Sequence, residues 1–109
     1  MTIKTITPLE LKEKILRKEK VVIVDCREPY EWDQCHIPKS ILIPSTKIQG
    51  EYKKAGNPKS EIVIYYQTGA RSIAACFTFL QNGYENVSNL EGGLQKWLSS
   101  GGETIKAKK

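Results

Sequence analysis

Between Tyr66 and Ser72 the chain reads Tyr66-Gln67-Thr68-Gly69-Ala70-Arg71-Ser72, a short segment that joins an aliphatic run directly to a helical pattern. In such a turn successive backbone N–H groups converge and the helix start adds partial positive charge, so the segment is suited to holding an anion. Arg71 adds a full charge beside it. The plainer reading is a tight strand–helix connection in which Gly69 supplies unusual backbone angles and Arg71 is simply exposed. On this segment alone both readings stand. Gln67, Thr68, Gly69, Ala70, Arg71 and Ser72 are the candidate anion-binding residues.

Three cysteines are the other candidates for chemistry: Cys26, Cys35 and Cys76. Their odd number and the lack of CxxC spacing suit a reduced compartment better than a disulfide framework. Cys26 ends an aliphatic segment, where a free thiol commonly serves as a small buried hydrophobe. Cys35 precedes His36 in a loop, is open to oxidation, and has no visible partner that would lower its pKa. Cys76 falls inside an apolar helical stripe and reads as core. A zinc site from Cys26, Cys35, His36 and Cys76 matches no known ligand spacing, and adjacent residues rarely face one metal. No metal and no cofactor are therefore expected, and His36 reads as a residue that fixes its loop by hydrogen bonds. Asp25 and Arg27 read as partners of each other and of the backbone, and Trp32 and Trp97 as packing residues.

These residues must be positioned by the elements around them. Thr7-Pro8-Leu9-Glu10 carries a cap, a proline suited to the first helical position and the acid of a capping box, predicting a helix to about Arg17 or Lys18. Val21–Asp25 is a strand apolar on both faces, as in a parallel sheet covered by helices. Ser40–Ile43 makes another such run before Pro44, and residues 46–60 read as a short helix at most and then a loop. Ile62–Tyr66 is a further strand. A helix from near Arg71 would place Ile73, Cys76, Phe77, Phe79 and Leu80 on one stripe and Thr78, Gln81 and Asn82 opposite, ending at Gly83. Asn86–Leu90 is a strand, and Gly92-Gly93 turns into a last helix with Leu94, Trp97 and Leu98 on one face. A short strand at Ile3–Ile6 makes five. The alternation implies an α/β fold, a five-stranded mostly parallel sheet flanked by helices on both faces, with ligands at the carboxyl ends of its strands.

At 109 residues and 12.3 kDa the chain has the size of one domain, expected over residues 1–105 with a basic tail at 106–109. Its formal charge is +5, but Lys106, Lys108 and Lys109 in the tail leave only +2 over the rest. No clustered basic reading element appears, so a nucleic-acid partner is not expected. The longest purely aliphatic run, Val21-Val22-Ile23-Val24, is far short of the ~20 residues of a membrane helix. The start of the chain opens no apolar signal stretch, and a soluble cytoplasmic protein without a membrane partner is expected.

Taken in order, Val24-Asp25-Cys26-Arg27-Glu28-Pro29-Tyr30-Glu31-Trp32, His36-Ile37-Pro38, Gly69-Ala70-Arg71-Ser72 and Leu90-Glu91-Gly92-Gly93 with Trp97 resemble the rhodanese family over nearly the whole chain. The resemblance implies the rhodanese fold and an active-site loop that begins with a cysteine. That cysteine takes sulfane sulfur from a donor such as thiosulfate, forms a persulfide and passes the sulfur on. Here the resemblance puts Tyr66 at the nucleophile. Sulfur must bond to a thiolate and leave again, and a phenol with a pKa near ~10 does neither. The span from Tyr66 to Arg71 matches sulfurtransferase loops and is one residue shorter than those of the related phosphatases. The expected function is thus a rhodanese-homology domain that lacks standard thiosulfate sulfurtransferase activity. It would act as an anion-binding or protein-docking module, with a small anion, a sulfur-containing ligand or a protein as partner. The alternative is a sulfurtransferase with Cys26 or Cys35 as surrogate carrier.

Overall fold

The centre of the sheet is built from two mostly aliphatic runs. Val21–Asp25 and Glu61–Tyr65 lie side by side in parallel at the centre of the sheet, with Asp25 opposite Tyr65. The computed structural model describes residues 3–68 and 71–106. Met1, Thr2, Gly69, Ala70 and residues 107–109, and with them two of the loop candidates and most of the basic tail, lie outside the described residues.

The elements follow in the order β1 (Lys4–Ile6), α1 (Pro8–Leu16), β2 (Val21–Asp25), α2 (Pro29–Gln34), β3 (Ile41–Leu42), α3 (Ile48–Glu51), β4 (Glu61–Tyr65), α4 (Ser72–Gln81), β5 (Asn86–Leu90) and α5 (Gly93–Ser99). The five strands form one sheet in the order β1-β5-β4-β2-β3, and every pairing in it is parallel. Side chains alternate across β4. Ile62 and Ile64 pack under α3 and α4 with Val24, Phe79 and Val87. Val63 and Tyr65 pack under α1 and α5 with Leu11, Leu94 and Trp97. This is the α/β architecture with helices on both faces that the sequence implies. None of the helices is long and apolar enough to cross a membrane, among the described residues.

Local chemistry explains the element starts. Thr7 Oγ1 accepts from the Glu10 N–H at 3.1 Å, and the Glu10 carboxylate accepts from the Thr7 N–H at 2.9 Å, the reciprocal box read from the sequence. The same device, Glu28 with Glu31 around Pro29, starts α2. That helix is not among the predicted elements because its six residues bury no side chain fully and show no apolar period.

Three expectations are corrected. The predicted strand 40–43 pairs only over Ile41–Leu42. The ladder of β4 starts one residue earlier than expected and stops at Tyr65, so Tyr66 already belongs to the loop. The buried face of α4 is turned by one position. Ser72, Ala75, Cys76 and Phe79 face inward with Thr78, whereas Ile73 and Phe77 remain 42% and 44% exposed. Two polar contacts account for the turn: Ser72 hydrogen-bonds Asn89 on β5, and Gln49 on α3 donates to Thr78 Oγ1 at 3.2 Å. A stripe drawn from apolar residues alone cannot see either.

Candidate functional site

The carboxyl ends of β2 and β4 lie together, and the segments that leave them build the site. After β4 the backbone of Tyr66 and Gln67 is pinned to the start of α5. The Leu94 N–H donates to the Tyr66 carbonyl at 2.9 Å and the Gln95 N–H to the Gln67 carbonyl at 3.0 Å. Only glycine permits so close an approach: a Cβ on Gly93, which sits at φ +61°, would come within 2.6 Å of the Tyr66 carbonyl oxygen. With both carbonyls directed at α5, planar trans peptides turn the N–H groups of Gln67 and Thr68 the opposite way. Two consecutive donors therefore face away from α5, as an anion cradle requires.

Tyr66 itself is half-buried, with its ring against the core under α3 and α4. Arg71 Nη1 donates to its hydroxyl at 2.6 Å, and the guanidinium carbon lies 5.2 Å from the ring centroid. Arg71 is exposed, and it immediately precedes α4, of which Ser72 is the first, buried residue. Of the candidate anion-binding residues, Arg71 meets Tyr66, the Gln67 side chain meets Arg27, Ser72 meets Asn89, and Thr68 lies exposed next to Gln67; Gly69 and Ala70 lie outside the described residues.

Behind the loop sits a second, dry group. Asp25 and Arg27 are both buried and form an ion pair at 2.9 Å, with Arg27 Nε also donating to the carboxylate. Burial opposes the charge on Arg27, and the Asp25 carboxylate outweighs that, so its pKa is raised. Tyr65 donates its hydroxyl proton to Asp25 at 2.6 Å and accepts from the Ile37 N–H at 3.1 Å. Burial first, and then the carboxylate, push the Tyr65 phenol well above its ordinary value. Arg27 also reaches the loop, with Nη1 3.4 Å from the Gln67 side-chain oxygen, and it donates to the Cys35 carbonyl. The expected pairing of Asp25 with Arg27 is present. The Tyr65 link was not foreseen, although a tyrosine inside an aliphatic strand announces a buried hydroxyl in need of a partner. Nor was the tie of Ser72 to Asn89, which no spacing in the sequence signals.

The cysteines are dispersed over both faces. Cys26 is fully buried, its thiol donating to the Tyr65 carbonyl at 3.2 Å. Burial, with the charge of Asp25 and the neighbouring Cys76, pushes that thiol up to about 12. Cys76 is buried in the same cluster, and burial likewise raises it to about 12. Cys35 lies against the opposite cluster, half-buried at the end of α2. His36 stacks on Trp32 with ring centroids 3.4 Å apart, and its Nδ1 lies 2.9 Å from the Trp32 carbonyl. Since a carbonyl only accepts, Nδ1 carries the proton. The His36 backbone pairs with Ile105 in both directions at 2.9 Å, so the residue ties the segment after α5 to the loop before β3.

Residues 7–100 match the sequence pattern of the rhodanese-like domain. A sulfurtransferase of Allochromatium vinosum is 37% identical over 84% of this chain and 84% of its own length. A probable adenylyltransferase/sulfurtransferase MoeZ of Mycobacterium tuberculosis is 35% identical over 85% of this chain, but the match spans only 24% of that longer protein. Among solved structures, a rhodanese-like domain protein from Staphylococcus aureus superposes with a TM-score of 0.83 at 34% identity, covering 96% of this chain and 100% of that one.

Proposed function

The chain belongs to the rhodanese-like domain family, and from that premise we propose that it binds an anion at the loop after β4 without carrying sulfur there. In this reading Tyr66 stands where the family's loop has its cysteine. A sulfane sulfur moves when a thiolate attacks it and the donor's S–S bond breaks, with sulfite leaving from thiosulfate. The phenol of Tyr66 offers no sulfur to accept that atom. What remains is the receptor: the outward N–H groups of Gln67 and Thr68 and the charge of Arg71. The observation that carries the reading is the anchoring of the Tyr66 and Gln67 carbonyls on α5, because it keeps the cradle's backbone orientation independent of which side chain stands at position 66.

A second reading, sulfur transfer through a surrogate thiol, is favoured by the names of the relatives. Cys26 is a poor carrier, since a fully buried thiol raised to about 12 offers almost no thiolate at neutral pH. Cys35, half-buried, is the stronger of the two surrogates. Cyanide-dependent turnover of thiosulfate separates the readings. The proposed function predicts a rate indistinguishable from a protein-free control. Robust turnover that disappears in Cys35→Ser or Cys26→Ser would establish the second reading and identify its carrier.

A further inference from the structure

We propose that the Tyr66 hydroxyl and the Arg71 guanidinium jointly receive a tetrahedral oxyanion of sulfur or phosphorus, the phenol donating its proton to a ligand oxygen; this rests on the anion-binding reading above. The argument starts from which atom gives and which accepts. Arg71 Nη1 donates to the Tyr66 oxygen at 2.6 Å, so that oxygen is used as an acceptor and its own proton is left to give. Among the described residues no protein group takes that proton, whereas the adjacent Tyr65 spends its own on Asp25 at 2.6 Å.

A hydroxyl that accepts from a cation is polarised towards donating, as happens along a chain of hydrogen bonds. The guanidinium keeps further N–H groups beside it, in the fixed plane that suits oxyanions. Phenol and guanidinium thus form one two-pronged donor rather than a blocked arginine. The Gln67 and Thr68 N–H groups, turned away from α5, belong to peptide groups separate from the guanidinium and add backbone donors in the same loop. Donors drawn from separate groups match the oxygens of a tetrahedral anion better than the two coplanar oxygens of a carboxylate. The hold is noncovalent, and no bond to the ligand is made or broken.

Calorimetric titration of the full chain at low ionic strength tests this, with inorganic phosphate, sulfate and thiosulfate as probes and acetate for comparison. The expected result is saturable binding of the tetrahedral anions, weakened about tenfold in Tyr66→Phe, lost in Arg71→Gln, and stronger than for acetate, with both variants melting like the parent. Tyr66→Phe binding as tightly as the parent or more tightly, while Arg71→Gln does not bind, would overturn the role of the phenol and leave the anion-binding function intact. Binding that survives in Arg71→Gln, or acetate binding as well as phosphate, would also overturn the proposal. No saturable binding by the parent protein would overturn both the proposal and the function it rests on.

Discussion

Tyr65 and Tyr66 are neighbours in sequence, and each meets an arginine, yet the fold treats them in opposite ways. Tyr65, the last residue of β4, points under α1 and α5, where its hydroxyl closes a fully buried group with Asp25 and Arg27. Tyr66, one residue on, points to the other face and meets Arg71 at the exposed mouth of the loop. The alternation of β4, which sends successive side chains to opposite faces, carries on for one residue beyond its last ladder position. The difference teaches that a polar cluster's burial decides its use. Inside, an unpaired member is costly, so the Asp25–Arg27–Tyr65 group acts as scaffold. At the mouth, water can replace any partner, so the Tyr66–Arg71 pair is free to exchange one oxygen for another.

The contrast is broken most severely by removing the carboxylate. Asp25→Ala leaves Arg27 as a buried charge without its counter-ion and Tyr65 without its acceptor, and a loss of about 3–5 kcal/mol is expected in urea unfolding. Tyr65→Phe removes one neutral donor from the same group and is expected to cost about 1–3 kcal/mol. Tyr66→Phe, at the mouth, should change stability by no more than about 0.5 kcal/mol. Equal costs for the two tyrosine variants would erase the distinction between scaffold and mouth.

The thiols sharpen the same comparison. Cys26 and Cys76 sit near 12 in the folded chain but near ~8.5 when unfolded. Above the lower value the unfolded chain releases protons that the native state keeps, so stability is full below about pH 8.5 and falls as pH rises towards 12. Tyr65, also raised, adds to that fall from about pH 10 upward. Unfolding midpoints across this range should decline, and Cys76→Ala should decline less steeply. At neutral pH a thiol reagent followed by mass spectrometry should modify Cys35 first, and Cys26 and Cys76 only when the chain unfolds. Native-state labelling of Cys76 at the rate of Cys35 would contradict the packing of α4.

Much of this arrangement was legible in the sequence. The strand segments 21–25 and 86–90, the capping box at Thr7 and the Gly92-Gly93 turn each carry a local signal that survives into the fold. The place of the candidate loop between β4 and α4 was legible too, because an aliphatic run and a helical pattern adjoin there. What escaped is what depends on partners distant in the chain. The phase of α4 is set by Asn89 and Gln49, and the buried use of Tyr65 by an aspartate that only the β2–β4 register places opposite it. The short helix α2 escaped for another reason: its stabilisation lies in a capping box around Pro29 and not in an apolar face.

The claim at the centre, that the receptor persists while the sulfur carrier is missing at position 66, is tested most directly by intact-protein mass after incubation with thiosulfate, read for the parent chain and for Tyr66→Cys. The proposed function predicts an unchanged mass for the parent. For Tyr66→Cys it predicts a gain of one sulfur atom that a reductant removes, because in that reading the Gln67 and Thr68 donors and Arg71 would serve the new thiol. A reducible sulfur on the parent chain, or a well-folded Tyr66→Cys protein that gains none, would contradict it.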